Sequence, residues 1–284
     1  MIETCNFCNL RCPTCTTPHH KIDRPKAMMS LNDYKKIIDN IKRSVSVVLP
    51  WFSNEPLLVP DMGEMVKYAG QSGIYTVIST NAVLLTEQKA RELIDAGLDE
   101  IILCLDGLSK ESYEPFREGA DFEKVLTNIK NFCRIKEEYG RYKPYVEMQF
   151  ILTKLNQKEL SEVKRLAKDL KVDRLRIKSL ALSEYAYSKE ESKKLSEKFL
   201  PDDLKYGDKI RYEKKGDHME KKNKKKLCHI VISDIVVLAD GRVAMCCFDI
   251  RGKYIYGNVM DKKLKDFWQL PENLHKRNIA KHRE

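Results

Sequence analysis

This sequence of 284 residues lacks the features that would place a protein in a membrane, outside the cell or on nucleic acid. No apolar run approaches the ~20 residues that a membrane-spanning helix needs, and no secretory signal is visible. The net charge of +10 is not accompanied by an arginine-aromatic motif, so we attribute it to a lysine-rich solvated surface. We therefore expect a cytoplasmic protein with no membrane partner and with nucleic acid disfavoured as a partner.

The composition is that of an ordinary globular protein. Hydrophobic residues make up 42% of the chain and charged residues 33%. A chain of this length can bury a full core, and it has room for one large domain and a small one.

The most informative stretch is the cysteine-rich run Cys5-Asn-Phe-Cys8-Asn-Leu-Arg-Cys12-Pro-Thr-Cys15. A 4Fe-4S cube takes one protein ligand per iron, so the final Cys-x3-Cys-x2-Cys could hold three irons and leave the fourth open. A zinc ribbon would separate its cysteine pairs by roughly 15–20 residues, and a bacterial ferredoxin has a different spacing. A disulfide pair is disfavoured because cytosolic thiols stay reduced. The spacing favours an iron–sulfur cluster.

The segment Cys8-Asn-Leu-Arg-Cys12-Pro-Thr-Cys15 resembles the signature of the radical S-adenosylmethionine (SAM) enzymes. The resemblance implies that Cys8, Cys12 and Cys15 bind a 4Fe-4S cluster whose open iron holds SAM. It also implies that SAM is cleaved to a 5'-deoxyadenosyl radical, which removes a hydrogen atom from the substrate. Cys5 lies outside the motif and is expected to be a non-ligand. Thr14 stands where many family members carry an aromatic residue that touches adenine.

Strand and helix patterns alternate along the first 180 residues. Apolar periodicity predicts a strand tail at Met1 to Thr4 and further strands at 45–49, 75–78, 101–105, 146–152 and 175–180. Between them, helices are predicted from Ser30, over residues 62–73, from Thr86 to Gly97, and over 121–139 and 157–170. The alternation indicates a parallel sheet with right-handed crossovers. Six such units are too few for a closed eight-stranded barrel, so we predict an α/β fold with a partial (β/α)6 barrel, which the resemblance also implies.

The carboxyl ends of barrel strands are where the chemistry of such folds is placed, and motif residues follow the predicted strands there. Ser53-Asn54-Glu55-Pro56 resembles the Gly-Gly-Glu-Pro segment of the family, which implies binding of the SAM ammonium group. Ser79-Thr80-Asn81-Ala82 resembles the Thr-Asn-Gly turn near the SAM ribose. Taken singly, each turn is more typical of a plain loop or helix cap, and it is their order behind the cysteine motif that favours a cofactor site.

The next strand is followed by Asp106-Gly107 and then by Arg117, before Gly119-Ala-Asp-Phe122. This order resembles the Ser-Leu-Asp-Gly…Arg-x-Gly-x-x-Phe pattern of the SPASM-type branch, with Cys104 in place of the serine. Asp106 and Arg117 are thus further candidates for cofactor binding, and Arg117 is suited to clamp a carboxylate. The apolar context of Cys104 and Cys133 predicts core packing for both.

The C-terminal part changes character. Residues 183–227 are polar and charged, which predicts a linker or mobile loop between a core at 1–182 and a small module at 228–284. In that module, residues 236–238, a tight turn at Ala239-Asp240-Gly241-Arg242 and residues 243–245 predict a β-hairpin. A short helix with Leu264, Phe267 and Trp268 follows.

The same module resembles the start of a SPASM or twitch domain, which binds one or two auxiliary 4Fe-4S clusters. The resemblance implies that Cys228 and Cys246 are ligands of a possible auxiliary cluster, and Cys247 is a further candidate. Peptide-oxidising members place an aspartate base where Cys247 stands here, so Asp249 is the substitute candidate for a catalytic base. The further cysteines of the family are missing downstream. Either the chain is trimmed, or the cluster is incomplete, or these are buried thiols on a hairpin.

These observations support two classes of function. The first is a radical SAM enzyme that abstracts a hydrogen atom from a peptide or a small alcohol and takes electrons from a donor such as flavodoxin or ferredoxin. The basic surface favours a peptide because peptide leaders are often acidic, although no leader-binding extension is visible before Cys5. The alternative is a non-catalytic iron–sulfur or zinc protein whose basic linker contacts nucleic acid. A degenerate family member that binds a cluster without catalysis is a third hypothesis.

Overall fold

The computed structural model describes residues 1–17, 22–140, 142–182, 187–202, 211–215, 218–222 and 230–282. Cys228 and part of the lysine-rich stretch of the predicted linker lie outside these ranges. No helix within them combines the length and the apolar character that a bilayer span requires.

The larger part of the fold is a five-stranded parallel sheet with the strand order β1-β2-β3-β4-β5. The strands are β1 (Val47–Val48), β2 (Tyr75–Thr80), β3 (Glu100–Cys104), β4 (Tyr145–Leu152) and β5 (Arg174–Ser179). The connecting helices are α1 (Leu31–Ile41), α2 (Met62–Gln71), α3 (Glu87–Asp95), α4 (Lys110–Tyr113), α5 (Phe122–Glu138) and α6 (Leu160–Asp169). The predicted partial barrel is confirmed. The predicted first strand is represented by isolated bridges at Ile2 and Cys5 rather than by a sixth sheet member.

The helices have the amphipathic pattern that packs them on one face of this sheet. The side chain of Ser30 caps α1 by accepting a hydrogen bond from the backbone N–H of Asp33 at 3.1 Å. The helix buries Tyr34, Ile37, Ile38 and Ile41 at helical spacing. These side chains join the main core with the helix-facing residues of the strands, Ile78, Ile101, Leu103, Val146, Met148 and Phe150. The opposite, concave face of the sheet carries polar side chains, which leaves it available for a site.

The predicted linker contains regular structure. Helix α7 (Lys189–Phe199) and the antiparallel strands β6 (Tyr212–Lys215) and β7 (His218–Lys221) lie within it. Phe199 is 0% exposed and joins Phe116 and Leu180 in a second apolar cluster. Its ring centroid is 5.5 Å from that of Phe116. The expectation that 183–227 contributes nothing to a core is therefore wrong for α7.

The C-terminal module is built on a three-stranded antiparallel sheet in the order β10-β9-β8. Its elements are α8 (Ile230–Ser233), β8 (Val236–Val237), β9 (Arg242–Ala244), β10 (Ile255–Asn258), α9 (Leu264–Trp268) and α10 (Pro271–His282). The predicted hairpin and short helix are confirmed. Gly241 occupies the hairpin turn with a φ of +83°, a conformation that costs glycine little.

The N-terminal segment joins the two sheets. The backbone N–H of Ile2 donates to Leu49 O at the end of β1, and the N–H of Glu3 donates to Val237 O in β8, both at 2.8 Å. The buried carboxylate of Glu3 also accepts two hydrogen bonds from Arg24, at 2.8 and 2.6 Å. The module is thus fixed against the segment that leads into the cysteine motif.

Replacing Phe199 by alanine tests whether α7 belongs to the core. We expect F199A to lower the free energy of unfolding by about 3 kcal/mol, because a buried aromatic ring is lost and a cavity remains. Anaerobic urea unfolding followed by circular dichroism measures this change. The exposed helix position Lys194 provides the control K194A, which should change stability by about 0.5 kcal/mol or less. Equal effects of the two substitutions would contradict the assignment.

Candidate active site

The cysteine motif lies on the loop that precedes α1, at the carboxyl end of the sheet. Cys12 and Cys15 line a cavity of about 340 Å³. Cys8 lies earlier in the same loop, and its sulfur is 3.7 Å from the side-chain nitrogen of Asn81. Cys5 instead points into the core, with its sulfur 3.8 Å from the carbonyl oxygen of Glu55. This position agrees with its expected role as a non-ligand.

Burial and neighbouring groups shift the pKa of two of the motif thiols. The pKa of Cys8 is raised to about 12, mainly by burial and to a smaller extent by Glu55, Cys12 and Cys15. Burial likewise raises the pKa of Cys12, an effect that the Arg117 guanidinium opposes. Cys12 and Cys15 both act on the pKa of Cys8, so the three side chains lie in one region of the loop. Binding of a metal there would release their protons, since thiolates are the ligands.

The donor set fits an iron–sulfur cluster better than a single metal ion. Within the described ranges, no three cysteine, histidine, aspartate or glutamate side chains are gathered closely enough to hold one ion. A cube takes one thiolate per iron and so accepts more widely spaced ligands. N–H groups also reach the sulfurs, from the Leu10 backbone to Cys8 at 3.4 Å and from Arg117 to Cys12 at 3.8 Å. Such donors stabilise thiolate ligands.

The candidate residue Glu55 is held by the protein itself. Its buried carboxylate accepts hydrogen bonds from the Thr80 hydroxyl at 2.6 Å, from the Asn81 N–H at 2.9 Å and from the Leu57 N–H at 3.2 Å. Burial raises the pKa of Glu55, and these hydrogen bonds act in the opposite direction. The carboxylate therefore ties the loop after β1 to the turn after β2. Its neighbours Asn54 and Pro56 do not line the cavity.

The turn after β2 reaches the cysteine loop through Asn81. The Asn81 side chain donates to the Asn9 side-chain oxygen at 2.9 Å and to the Cys8 sulfur at 3.7 Å. Ala82 has a φ of +60°, a left-handed conformation that explains why glycine is favoured at this position. Thr80 and Asn81 thus connect Glu55 to the motif.

Asp106 and Arg117 form a buried ion pair behind the motif. Arg117 Nε donates to Asp106 Oδ2 at 2.6 Å, and a second guanidinium nitrogen contacts the same oxygen. The other Asp106 oxygen accepts from the Ile151 N–H at 2.5 Å. Asp106 is therefore the carboxylate that Arg117 clamps here, while Nη1 of Arg117 faces Cys12.

The cavity is also lined by residues of β4 and β5, and by Arg211 before β6, which the sequence did not reveal. Gln149, Lys178, Ser179 and Arg211 line it together with the motif residues. The sequence contained only a weak signal for this part of the site. Polar residues alternate with apolar ones along β4 and β5, which places the polar side chains on the concave face.

Two further expectations need correction. Cys104 is buried, but on the concave face, where its sulfur is 3.7 Å from the Ser79 hydroxyl and 3.6 Å from the Gln149 amide nitrogen. Cys133, by contrast, is confirmed in the main apolar core. Tyr187, within the predicted linker, donates to the Pro13 carbonyl at 3.2 Å and so lies against the cysteine loop.

The structure places the candidate residues of the C-terminal module in different surroundings. Cys247 packs against the apolar cluster of β8 and β9. Cys246 lies near Tyr256, whose pKa is raised mainly by burial and to a smaller extent by this thiol. Both oxygens of Asp249 accept backbone hydrogen bonds, from Lys253 at 2.9 Å and Tyr254 at 2.8 Å. These contacts give Asp249 a role in holding the turn and lend no support to a catalytic base. Cys228 lies outside the described residues.

The substitution Asp106→Asn tests the importance of the buried ion pair. We expect D106N to lower the free energy of unfolding by about 3 kcal/mol, because it leaves a mostly buried arginine without its counter-charge. Asp33 pairs with Lys36 on the exposed surface, so D33N is a matched control with an expected effect of about 0.5 kcal/mol or less. Anaerobic urea unfolding compares the two. A D106N loss no larger than that of D33N would contradict the assigned role.

Two family models match the chain. Residues 2–142 match the radical SAM superfamily, and residues 228–283 match the SPASM iron–sulfur cluster-binding domain. The first match covers the cysteine motif and the turns after β1, β2 and β3. The second begins at Cys228 and includes the three-stranded sheet.

Two curated relatives are similar over the larger part of this chain. A tungsten-containing aldehyde ferredoxin oxidoreductase cofactor-modifying protein of Pyrococcus furiosus is 29% identical over 185 residues, which are 63% of this chain and 50% of the relative. A PqqA peptide cyclase of Bradyrhizobium diazoefficiens is 26% identical over 181 residues, or 62% of this chain and 45% of the relative. The chain thus spans about half the length of these relatives.

A solved structure shares the fold over nearly the whole chain. Streptococcus suis SuiB bound to the precursor peptide SuiA superposes with a TM-score of 0.69 at 16% identity, covering 97% of this chain and 65% of SuiB. The two family matches are consistent with the partial barrel and with the position of the cysteine loop. The chain therefore belongs to the radical SAM superfamily, in the branch that carries a SPASM domain.

Proposed function

We propose that this enzyme cleaves SAM reductively at a 4Fe-4S cluster held by Cys8, Cys12 and Cys15 and abstracts a hydrogen atom from a peptide substrate. The position of the motif thiols is the main support for this proposal. Cys12 and Cys15 line the 340 Å³ cavity together with polar residues of β4 and β5. SAM and a substrate group would share this space.

The residues that the sequence predicts for SAM binding have distinct roles in this proposal, and among them Arg117 lines the cavity. The proposed SAM-binding group is Asn54, Glu55, Pro56, Thr80, Asn81, Asp106 and Arg117. Within it, Glu55 and Asp106 are positioning residues, because their carboxylates are already engaged by protein donors. The part of Arg117 that remains directed at the motif is Nη1, which donates to Cys12. Arg117 thereby stabilises negative charge on the proposed ligand.

A peptide is the preferred substrate class over a small alcohol. Two of the similar proteins act on or bind peptides, as their names state: the PqqA peptide cyclase and SuiB with SuiA. The net charge of +10 also suits an acidic peptide. The electron needed for SAM cleavage would come from a donor such as flavodoxin or ferredoxin.

We further propose that residues 228–284 form an auxiliary cluster module attached to a core at residues 1–182. Cys228 and Cys246 would be ligands of the auxiliary cluster. Cys247 fits less well, because it packs against the apolar residues of β8 and β9. The module would then present its cluster through Cys246.

Substitution of Cys12 tests the first part of the proposal. C12A should reduce 5'-deoxyadenosine formation from SAM at least 100-fold, because the cluster loses one of its three protein ligands. The assay uses anaerobically reconstituted protein with dithionite and SAM. Cys133 is buried in the core away from the motif, so C133A controls for loss of a thiol and should retain iron and activity.

Wild-type protein that holds a full cluster but forms no 5'-deoxyadenosine would favour the alternative, a non-catalytic cluster protein that binds nucleic acid. That alternative further requires RNA or DNA affinity that falls steeply with added salt. Loss of activity in both C12A and C133A would leave no specific role for the motif and would contradict the proposal.

Iron content of the Cys246 and Cys247 variants tests the second part. Each cube holds four irons, so C246S should lose about four irons per chain relative to the wild type while SAM cleavage continues. C247S should retain them, because its side chain belongs to the apolar cluster. Equal iron content in C246S and wild type would rule out Cys246 as a ligand.

A further inference from the structure

The concave face of the sheet carries alternating charges that are mostly balanced. The buried carboxylate of Glu147 on β4 forms ion pairs with Arg174 at 2.5 Å and with Arg176 at 2.9 Å, both on β5. Glu100 on β3 adds a second acidic partner for Arg174 at 3.5 Å. The acidic groups on this face are therefore matched to the two arginines nearest the amino end of β5.

Two cations near the carboxyl end of β5, Lys178 on the strand and Arg211 before β6, have neutral partners. Lys178 donates to the side-chain oxygen of Gln149 at 2.7 Å, and Arg211 donates to the Ser179 hydroxyl at 2.8 Å. Among the residues that the structure describes, no carboxylate forms an ion pair with either side chain. Lys178 is partly buried and Arg211 is exposed. The partly buried ammonium group of Lys178 is less favourable beside a neutral amide than it would be beside an anion.

The environment of Lys178 agrees with this charge imbalance. Burial lowers the pKa of Lys178, and the positive charges of Arg176 and Arg211 lower it further. The nearby Cys104 and Glu147 act in the opposite direction without pairing with the ammonium group. An anion bound between Lys178 and Arg211 would relieve the repulsion between these like charges.

The position of the pair relates it to the proposed reaction. Lys178 and Arg211 line the same cavity as Cys12 and Cys15. Arg117 also borders this cavity, but Asp106 already neutralises it. The positive charges of Lys178 and Arg211, which no described carboxylate pairs with, therefore border the cavity in which SAM and a substrate would meet.

We propose that Lys178 and Arg211 form a subsite for an oxyanion of the substrate, such as an acidic side chain or the C-terminal carboxylate of a peptide. The proposal rests on the proposed function and narrows its substrate class. A lysine and an arginine together provide charge-assisted hydrogen bonds from two directions, which fixes an oxyanion more firmly than one cation would. The subsite would hold the substrate next to the reacting centre and would disfavour substrates that lack the anion.

Inorganic phosphate is a suitable probe because it presents the same oxyanion chemistry without requiring the natural substrate. Equilibrium dialysis with the reconstituted holoenzyme measures its dissociation constant at fixed ionic strength. We expect K178M and R211M each to weaken phosphate binding about tenfold, the effect of losing one charge-assisted hydrogen bond. K178R should restore most of the affinity. Lys36 is an exposed surface residue, so K36M controls for the general loss of one positive charge.

The SAM dissociation constant of the same variants distinguishes two sources of the oxyanion. We expect it to change less than about twofold in K178M and R211M. A loss of SAM affinity matching that of phosphate would assign the site to the carboxylate of SAM and overturn the proposal. Phosphate affinity that is equal in wild type, K178M and R211M would overturn it as well. Arg211 is exposed, so R211M keeps the test valid if K178M does not fold.

Failure of the proposed function would be recognised separately. It would appear as a lack of 5'-deoxyadenosine formation in wild-type protein that contains its cluster, whatever the result with phosphate. Conversely, SAM cleavage together with unaltered phosphate binding in both variants would reject only the subsite.

Discussion

The buried ion pair between Asp106 and Arg117 connects the segments on which the site depends. Asp106 follows β3 and receives a hydrogen bond from Ile151 in β4, while Arg117 extends from the following loop to the sulfur of Cys12. The side chain of Asp106 is 0% exposed and that of Arg117 15%, so neither charge is well solvated without the other. The position of Cys12 is therefore coupled to the ends of two central strands through one electrostatic contact.

Two other buried carboxylates are likewise stabilised by hydrogen-bond donors from distant segments of the chain. Glu55 takes its donors from the turn after β2, and Glu3 takes them from Arg24 and from the C-terminal module. Each carboxylate must be satisfied inside the protein, and in each case the donors come from another segment of the chain. Motif residues that resemble direct cofactor ligands thus also hold the loops in position. A rigid frame of this kind is what a site needs to position reactants.

Several parts of this architecture were predictable because the sequence signals are local. Apolar residues with helical spacing, such as Ile37 and Ile41, identified α1, and the order of the turns after the strands located the candidate site. Helix α7 was missed because it is mostly charged and buries few side chains, among them Phe199. Cys104 was assigned to the apolar core because a strand buried on both faces shows no alternation that distinguishes them.

The pairing of distant residues was not predictable. Lys178 and Arg211 are separated by 32 intervening positions in the sequence, and only the fold places both on one cavity wall. The role of Asp249 likewise depends on backbone N–H groups that the sequence pattern does not reveal. In each case the missing information was the three-dimensional direction of a side chain, which spacing along the chain does not specify.

The proposed activity depends on a cluster in the three-cysteine loop with an iron available to SAM. Electron paramagnetic resonance of the dithionite-reduced C246S variant tests this most directly, since that variant is expected to retain the cluster of the motif. We expect the signal of a reduced 4Fe-4S cluster whose g-values shift when SAM is added. A cluster signal that is unchanged by saturating SAM would contradict SAM binding at this cluster.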